Sequence, residues 1–286
     1  MSRTIPSLAP SIADLLPRPL RATVGFLVSR AGGILDQVGA VWFLFAETLQ
    51  WIGRAFTHRK VRLGRPAIIS QIVRIGVRSV FIISLVSGSV GMILVLQMAP
   101  PLDNFGQKEL VANITSVAVL RELGPLIAAI VLTGFAGAAI AAEIGTMVVG
   151  EEIEALEAHA LNPIRFLVVP RVIAAVISMT CLAVLSDAVA IIGGWLIAVA
   201  ALGVPSDRYI QNTLDQVKLA DFLTGVGKAT VFGLLIGLIA CTNGLRVTGG
   251  AAGVGRATTG TVVQSVVAII VADLAFTAIF YALGWV

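Results

Sequence analysis

The sequence predicts an all-α integral membrane protein with about five transmembrane helices. Hydrophobic residues make up 57% of the 286-residue chain, charged residues only 13%, and the mean hydropathy is +0.97. Soluble domains carry roughly 25% charged residues, so this chain has too little polar surface to cover a core in water. A bilayer removes that difficulty, because lipid solvates apolar side chains on the outside of a protein. A soluble globular fold is therefore excluded.

Five apolar runs are long enough for spanning helices, each of which needs roughly 20 mostly apolar residues. The runs cover residues 79–99, 111–142, 166–202, 222–241 and 261–286. Pro100 and Pro101 are expected to end the first run, because proline cannot donate a helical hydrogen bond. The chain then divides into an N-terminal cytoplasmic or interfacial segment (1–32), an interfacial helix with a basic linker (33–78) and a five-span membrane domain (79–286).

Residues 33–56 have the pattern of an amphipathic helix. Apolar side chains recur at helical spacing along one side, and Asp36, Glu47, Gln50 and Arg54 lie on the other. This two-faced pattern favours a helix that lies in the membrane interface rather than one that crosses the bilayer. A sixth span is the alternative interpretation.

The distribution of basic residues predicts the orientation of the spans. Between Thr48 and Leu102 the sequence has no acidic residue, but it has seven basic ones: Arg54, Arg59, Lys60, Arg62, Arg65, Arg74 and Arg78. Such a block beside the first span is expected to stay cytoplasmic, where it also meets anionic lipid head groups. Five crossings then leave the C-terminus outside and make residues 151–171 and 243–260 cytoplasmic connections.

Ionisable residues inside the predicted spans are the first candidates for function. They are Arg121, Glu122, Asp187, Lys228 and Asp273. Each costs about 2.5–3.5 kcal/mol at the centre of a span, so each is expected to face a partner or a wet cavity. Either they form structural ion pairs, or some of them line a cavity that receives a polar head group. Pro125 frees the carbonyl of Arg121, and a bend there could shape the cavity wall.

The connection after the second run predicts a short amphipathic helix. Glutamates crowd its first turn, Ile153 and Leu156 form a narrow apolar stripe, and Asn162-Pro163 is expected to end it. This helix is expected to lie parallel to the membrane on the cytoplasmic side. It is either a segment that a motor subunit grips in a groove or a solvated linker.

The glycine-rich stretch at residues 250–257 has the spacing of a phosphate-binding loop but does not predict one. It ends in Arg256-Ala257, where a lysine followed by serine or threonine is required to hold phosphates and Mg²⁺. Any ATP is therefore expected to be hydrolysed by another chain. We predict no catalytic residue, no metal site and no cofactor bound by this chain, and no nucleic-acid partner.

Several ordered motifs resemble the MlaE-type permease family. They are Arg121-Glu-Leu-Gly-Pro125, Ala142-Glu-Ile-Gly-Thr-Met147, Glu151-Glu-Ile-Glu-Ala-Leu156, Asn162-Pro-Ile-Arg165, Pro170-Arg171 and the stretch at residues 248–259. The resemblance runs from about Ile68 to the C-terminus. It implies a homodimeric permease of an ABC transporter in a bacterial inner membrane, or in a chloroplast inner envelope. Such permeases work with a cytoplasmic ATPase, which binds ATP and Mg²⁺, and with an MCE-domain lipid-binding protein, and they move phospholipids or other hydrophobic molecules between membranes.

The resemblance also implies roles for particular residues. Residues 151–161 would be the coupling helix, and the residues expected to couple it to the ATPase are Glu151, Glu152, Ile153, Leu156, Glu157, Asn162 and Pro163. Lys228 and Asp273 match family positions and Asp187 does not. The candidates for the lipid cavity are Arg121, Glu122, Pro125, Lys228 and Asp273. Two other functions are an ion-coupled secondary carrier and a membrane scaffold that does not transport.

Overall fold

The computed structural model describes residues 18–57 and 64–284, and it describes side chains at residues 32, 33, 35–54 and 64–284. Every element of regular structure in these ranges is helical. Five segments are long and apolar enough to cross a membrane: Arg65–Asn104, Lys108–Val149, Ile164–Leu202, Leu219–Leu245 and Gly250–Ala282, here spans 1 to 5. The prediction of an all-α membrane protein with five spans is confirmed.

Eleven α-helices make up the described part of the chain. Helix α1 is Arg18–Thr57; span 1 contains α2 (Arg65–Ile75) and α3 (Val80–Asn104); span 2 contains α4 (Val111–Ala118), α5 (Gly124–Leu132) and α6 (Ala138–Val149); α7 is Glu152–Ala158; span 3 contains α8 (Val169–Leu202); α9 is Ser206–Gln216; span 4 is α10 (Leu219–Leu245); span 5 is α11 (Gly250–Ala282). Short 3₁₀ turns occur at Val77–Ser79 and Lys108–Leu110, and π-helical turns at Val119–Leu123, Thr133–Gly137 and Ile164–Val168.

The amphipathic pattern at residues 33–56 lies within the longer helix α1, whose 40 residues begin upstream of it. The division proposed between residues 32 and 33 therefore falls inside a helix. Among the described residues, those up to Ala46 and those from Glu47 onward belong to two separate compact units. Helix α1 is not one of the five segments that qualify as spans, and its position in the interface stays a prediction. Residues 1–17 and the basic residues at 59, 60 and 62 lie outside the described residues.

Two boundaries of the predicted spans are wrong. Helix α3 continues through Pro100 and Pro101 to Asn104, because a proline near the end of a helix removes few bonds and Gln107 N–H closes the turn on the Leu102 carbonyl at 2.9 Å. The predicted connection at residues 243–260 is mostly helical, since α10 ends at Leu245 and α11 begins at Gly250. Gly249 and Gly250 have φ of +83° and +66°, a region that glycine enters freely, and they allow this sharp reversal.

Helix α9, in the connection between spans 3 and 4, was not predicted from the sequence. It is short and polar, so it lacks the apolar run on which span prediction depends. Its Tyr209 is buried in a cluster with Val204 of the same connection and with residues from the neighbouring ends of spans 1, 2 and 3: Val95, Ala99, Val111, Ala112 and Ala198. This cluster packs the helix against those span ends.

Span 3 is the centre of the packed spans, and small residues bring its neighbours close to it. In its most apolar stretch 61% of the residues are buried, against 11% in span 5. A Cβ atom on Gly91 of α3 would lie 2.0 Å from the Ala190 carbonyl oxygen, and one on Gly233 of α10 would lie 2.7 Å from Met179 Cβ. Only glycine permits these approaches, so small residues mediate the packing of these helices.

Candidate functional site

Four side chains from three spans form a buried polar cluster, the Lys228 network, consisting of Glu122, Lys228, Asp273 and Thr277. The Lys228 ammonium donates to Glu122 Oε2 at 2.5 Å and to Thr277 Oγ1 at 2.8 Å. It also lies 2.9 Å from Asp273 Oδ1, an ion pair by distance that lacks hydrogen-bond alignment. The Thr277 hydroxyl donates to Glu122 Oε1 at 2.9 Å. Lys228, only 1% exposed, therefore donates to two partners and pairs by charge with a third.

The helices bring these groups to one depth in the membrane. Lys228 is nine residues after α10 begins at Leu219, and Asp273 is nine residues before α11 ends at Ala282. At 1.5 Å per residue, Lys228 lies about 13 Å from the start of α10 and Asp273 about 13 Å from the end of α11. Because the two helices are antiparallel, these two ends are on the same side of the membrane. Thr277 is four residues after Asp273 and so lies on the same face of α11. Sequence reasoning missed Thr277, although this spacing was a signal that could have found it.

Arg121 does not pair with its neighbour Glu122 or join the Lys228 network. Its Nε donates to Asp221 Oδ1 at 2.6 Å, and Asp221 is 1% exposed. Asp221 Oδ2 also accepts the Lys218 N–H at 2.9 Å, which caps the first turn of α10. Sequence reasoning missed Asp221, because it lies just before the predicted run at residues 222–241. The terminal Nη atoms of Arg121 have no partner among the described residues.

A π-helical turn at Val119–Leu123 carries both Arg121 and Glu122. The wide turn lies directly before Pro125, and the Gly124 N–H bonds to the Val119 carbonyl, five residues back. Span 4 comes very near at this point, because a Cβ atom on Gly225 would lie 2.0 Å from the Leu120 carbonyl oxygen. This approach allows two successive side chains of span 2 to reach α10.

Asp187, whose role the family resemblance left in doubt, belongs neither to the Arg121–Asp221 pair nor to the Lys228 network. Its side chain is buried, and neither carboxylate oxygen has a hydrogen-bond partner among the residues that the structure describes. It packs against the motif glycine of span 2, since a Cβ atom on Gly124 would lie 1.7 Å from Asp187 Oδ1. The neighbouring Ser186 hydroxyl donates to the Gly124 carbonyl at 3.0 Å. Asp221, not Asp187, is thus the buried acid that pairs with Arg121.

The predicted helix between spans 2 and 3 exists as α7, but it is shorter than expected. It begins after Glu151, which has φ +58°, and ends at Ala158. Glu152 and Glu157 are exposed, and Ile153 and Leu156 are partly exposed.

Asn162-Pro163 does not end α7. Ala160, with φ +58°, reverses the chain before that pair. The Asn162 side chain accepts the Arg165 N–H at 3.1 Å and so begins span 3. Pro163 is buried, which removes it from any docking surface.

These features define a multi-pass α-helical membrane protein with polar groups paired inside its spans. The family model described as Permease MlaE matches residues 68–279, and the chain belongs to the MlaE permease family. The family resemblance of the motifs is confirmed, and the match makes the chain a transporter component rather than an enzyme.

Three relatives illustrate the range of the similarity. A probable ABC transporter permease protein of Rickettsia typhi is 37% identical over 75% of this chain and 83% of its own. The intermembrane phospholipid transport system permease protein MlaE of Haemophilus influenzae is 35% identical over 79% of this chain and 87% of its own. The chloroplastic protein TRIGALACTOSYLDIACYLGLYCEROL 1 of Arabidopsis thaliana is 33% identical over 74% of this chain and 61% of its own.

Proposed function

We propose that this chain is the permease subunit of an ABC transporter that moves phospholipids or other hydrophobic molecules between membranes. A separate cytoplasmic ATPase, which binds ATP and Mg²⁺, supplies the energy. The names of two relatives support this function, one an ABC transporter permease and the other a phospholipid transport permease. The strongest support within the molecule is the set of paired charges that span 2 presents to span 4 inside a bilayer-spanning fold.

A homodimer in a bacterial inner membrane is the proposed working state, with an MCE-domain protein exchanging lipid on the outer side. In the single chain, the side chains of Arg121 and Glu122 keep 23% and 36% of their surface exposed within a span. Lipid is a poor environment for them, since a charge at the bilayer centre costs about 2.5–3.5 kcal/mol. A second copy that packs on span 5, which is little covered, encloses these groups in a polar cavity.

Arg121 is the cation proposed to meet the phosphate of a lipid head group. The sequence left Arg121, Lys228 or both as candidates, but Lys228 is buried, donates two hydrogen bonds and is paired with two carboxylates. Arg121 binds Asp221 through Nε alone, so its terminal nitrogens remain for a bidentate contact with phosphate. In this mechanism the Lys228 network fixes the relative positions of spans 2, 4 and 5 while apolar walls contact the lipid tails.

Helix α7 is the proposed coupling helix. Its partly exposed Ile153 and Leu156 are the apolar anchors for a groove on the ATPase, and its exposed glutamates surround them. When ATP closes the motor dimer, the movement of α7 passes to spans 2 and 3 and changes the cavity.

The first test is purification in mild detergent from the native membrane, with mass spectrometry of the proteins that co-elute. An ABC ATPase and an MCE-domain protein are expected. A complex that contains an ATPase but moves no labelled phospholipid in vesicles indicates a scaffold. Transport by vesicles that contain this chain alone, driven by an ion gradient, indicates a secondary carrier.

The second test asks whether Arg121 meets the head group. Vesicles containing the permease with its ATPase are assayed for ATP-dependent movement of labelled phospholipid. Arg121→Gln is expected to lower the rate at least tenfold, and Arg121→Lys, which keeps the positive charge, is expected to retain most of it. Equal rates for Arg121→Gln and the unmodified protein contradict the head-group role.

A further inference from the structure

A second ion cluster lies at the opposite end of span 2 from the Lys228 network, and its most buried member is Arg171. In this Glu143 cluster, Glu143 Oε2 lies 3.3 Å from Arg171 Nη2, and Oε1 contacts Arg74. Arg171 Nη1 also donates to the Leu167 carbonyl at 3.0 Å. Arg74 belongs to span 1, Glu143 to span 2 and Arg171 to span 3, so one carboxylate joins three spans. The charges within these spans that were singled out from the sequence did not include this cluster.

The cluster joins the two helices that flank α7. Glu143 lies six residues before α6 ends at Val149, and Arg171 lies in the first turn of α8. Helix α7 has no buried residue of its own. Its position in the molecule therefore depends on the two flanking helices, and within the described residues the Glu143–Arg171 pair is the ion pair that connects them.

The charges of the cluster make Glu143 its critical member. Two arginines share one carboxylate, and Arg171 is nine-tenths buried with its Nε unpaired among the described residues. Removal of the Glu143 charge breaks the pair with Arg171 and leaves that buried guanidinium without its counter-ion. Among the described residues no other ion pair then holds α6 to α8, so the helices on either side of α7 would separate.

We propose that Glu143 is a positioning residue for ATP-driven transport, which holds the helices flanking α7 together as one rigid unit. Through it, a movement of α7 is transmitted along span 2 to Arg121 and Glu122. Glu143 and Glu122 are 21 residues apart on this span, or about 30 Å along a helix. Glu143 acts through Arg171 and Arg74, and it contacts neither lipid nor the ATPase. This inference rests on the proposed coupling function of α7.

The test uses the full chain assembled with its ATPase in lipid vesicles, where ATP hydrolysis and phospholipid movement are measured on the same sample. Glu143→Gln is expected to keep hydrolysis within about twofold and to lower the lipid moved per ATP at least tenfold. The exchange variant Glu143→Arg/Arg171→Glu is expected to recover the lipid moved per ATP to within about threefold of the value for the unmodified protein. The matched control is Glu109→Gln, which breaks the exposed pair with Arg208 at the other end of the spans and leaves the ratio unchanged.

A distance measurement on the chain itself is independent of transport. Spin labels at the exposed positions Val149 and Phe166 report the separation of the helices that flank α7, in a background where the exposed Cys181 is replaced by serine. Glu143→Gln is expected to broaden the distance distribution at least twofold, whereas Glu109→Gln does not change it. If Glu143→Gln does not fold, Glu143→Asp, which keeps the charge but has a shorter reach to Arg171, is expected to broaden the distribution to a smaller extent.

The outcomes separate this inference from the proposed function. An unmodified complex that hydrolyses ATP but moves no lipid contradicts the proposed function, and the spin-label distances still test the positioning role. An unchanged ratio or an unchanged distance distribution in Glu143→Gln overturns the positioning role. A folded exchange variant that is as defective as Glu143→Gln also overturns it.

Discussion

The substitution Gly225→Ala tests whether the close approach of spans 2 and 4 positions the candidate site. A Cβ atom at residue 225 would lie 2.0 Å from the Leu120 carbonyl oxygen, next to Arg121. Carbon and carbonyl oxygen approach no closer than about 3.3 Å in favourable contacts, so the two helices must separate by about 1.3 Å. Gly227, two residues along the same helix, has no atom within 4 Å of the corresponding Cβ and provides the matched control Gly227→Ala.

The size of the effect follows from the contacts beside Leu120. A separation of about 1.3 Å lengthens the 2.6 Å Arg121–Asp221 contact and the 2.5 Å Glu122–Lys228 contact to nearly 4 Å, beyond hydrogen-bond range. Overpacking of this kind costs about 1–3 kcal/mol in the free energy of unfolding. Gly227→Ala is expected to be neutral or to stabilise α10 by about 0.5–1 kcal/mol, because alanine favours helix.

The assays are thermal unfolding of the purified protein in detergent and ATP-dependent phospholipid movement in vesicles. Gly225→Ala is expected to lower the unfolding midpoint and to reduce transport at least tenfold, while Gly227→Ala leaves both near the values of the unmodified protein. If the two variants have the same midpoint and the same transport rate, the approach at Leu120 does not position the ion pairs, and the reasoning fails.

Four other variants test further residues of the coupling helix and the spans. Ile153→Glu with Leu156→Glu is expected to abolish co-purification of the ATPase without moving the unfolding midpoint, since both side chains are partly exposed; retained ATPase binding refutes the docking role. Thr277→Val is expected to destabilise the protein by about 1–3 kcal/mol, because the ammonium of Lys228 loses an acceptor, and Thr277→Ser should restore the midpoint. Asp221→Asn is expected to lower the free energy of unfolding by about 1.5–3 kcal/mol through loss of a charged hydrogen bond, and so to lower the midpoint. Asp187→Asn, at an acid without a partner among the described residues, should leave the midpoint unchanged or raise it, and a fall as large as that for Asp221→Asn contradicts this interpretation.

The spans could be predicted from the sequence because the bilayer imposes a length of apolar residues that composition reveals. The length of the apolar run did not predict where the spans end, because polar residues at the ends of the runs are also helical. Asn243 illustrates this: its side chain donates to Thr261 Oγ1 at 3.0 Å and to Gln264 Oε1 at 2.8 Å, so polar groups at the start of span 5 pair with span 4. Polarity alone indicated a loop, because a sequence does not show which partner a polar side chain will find.

In the candidate site, too, the sequence showed which residues are charged but did not show which partner each charge would find. Arg121, Glu122, Lys228 and Asp273 stood out as costly residues in apolar runs, but the pairing of Arg121 with Asp221 depends on contacts 100 residues apart. Asp221 looked like the polar end of a connection, and Asp187 looked like a member of the charged set. Helix packing determined which acid reached a cation: Asp221 caps α10 opposite Arg121, whereas Asp187 packs against the Cα of Gly124.

The two ion clusters of span 2 have different consequences for a transport cycle. In the Lys228 network the ammonium is surrounded by three partners, and beside the network the terminal nitrogens of Arg121 remain for a ligand. The Glu143 cluster has one positive charge in excess, and Arg74, its outermost arm, is half exposed. An occupied network resists movement, because each displaced group loses a bond in a medium without water. In the Glu143 cluster only the half-exposed Arg74 arm can detach at lower cost, because water reaches it, whereas the Glu143–Arg171 pair keeps spans 2 and 3 together. Movement driven at α7 is therefore expected to begin at the Glu143 end of span 2 and to reach the Lys228 network as a displacement of the whole helix.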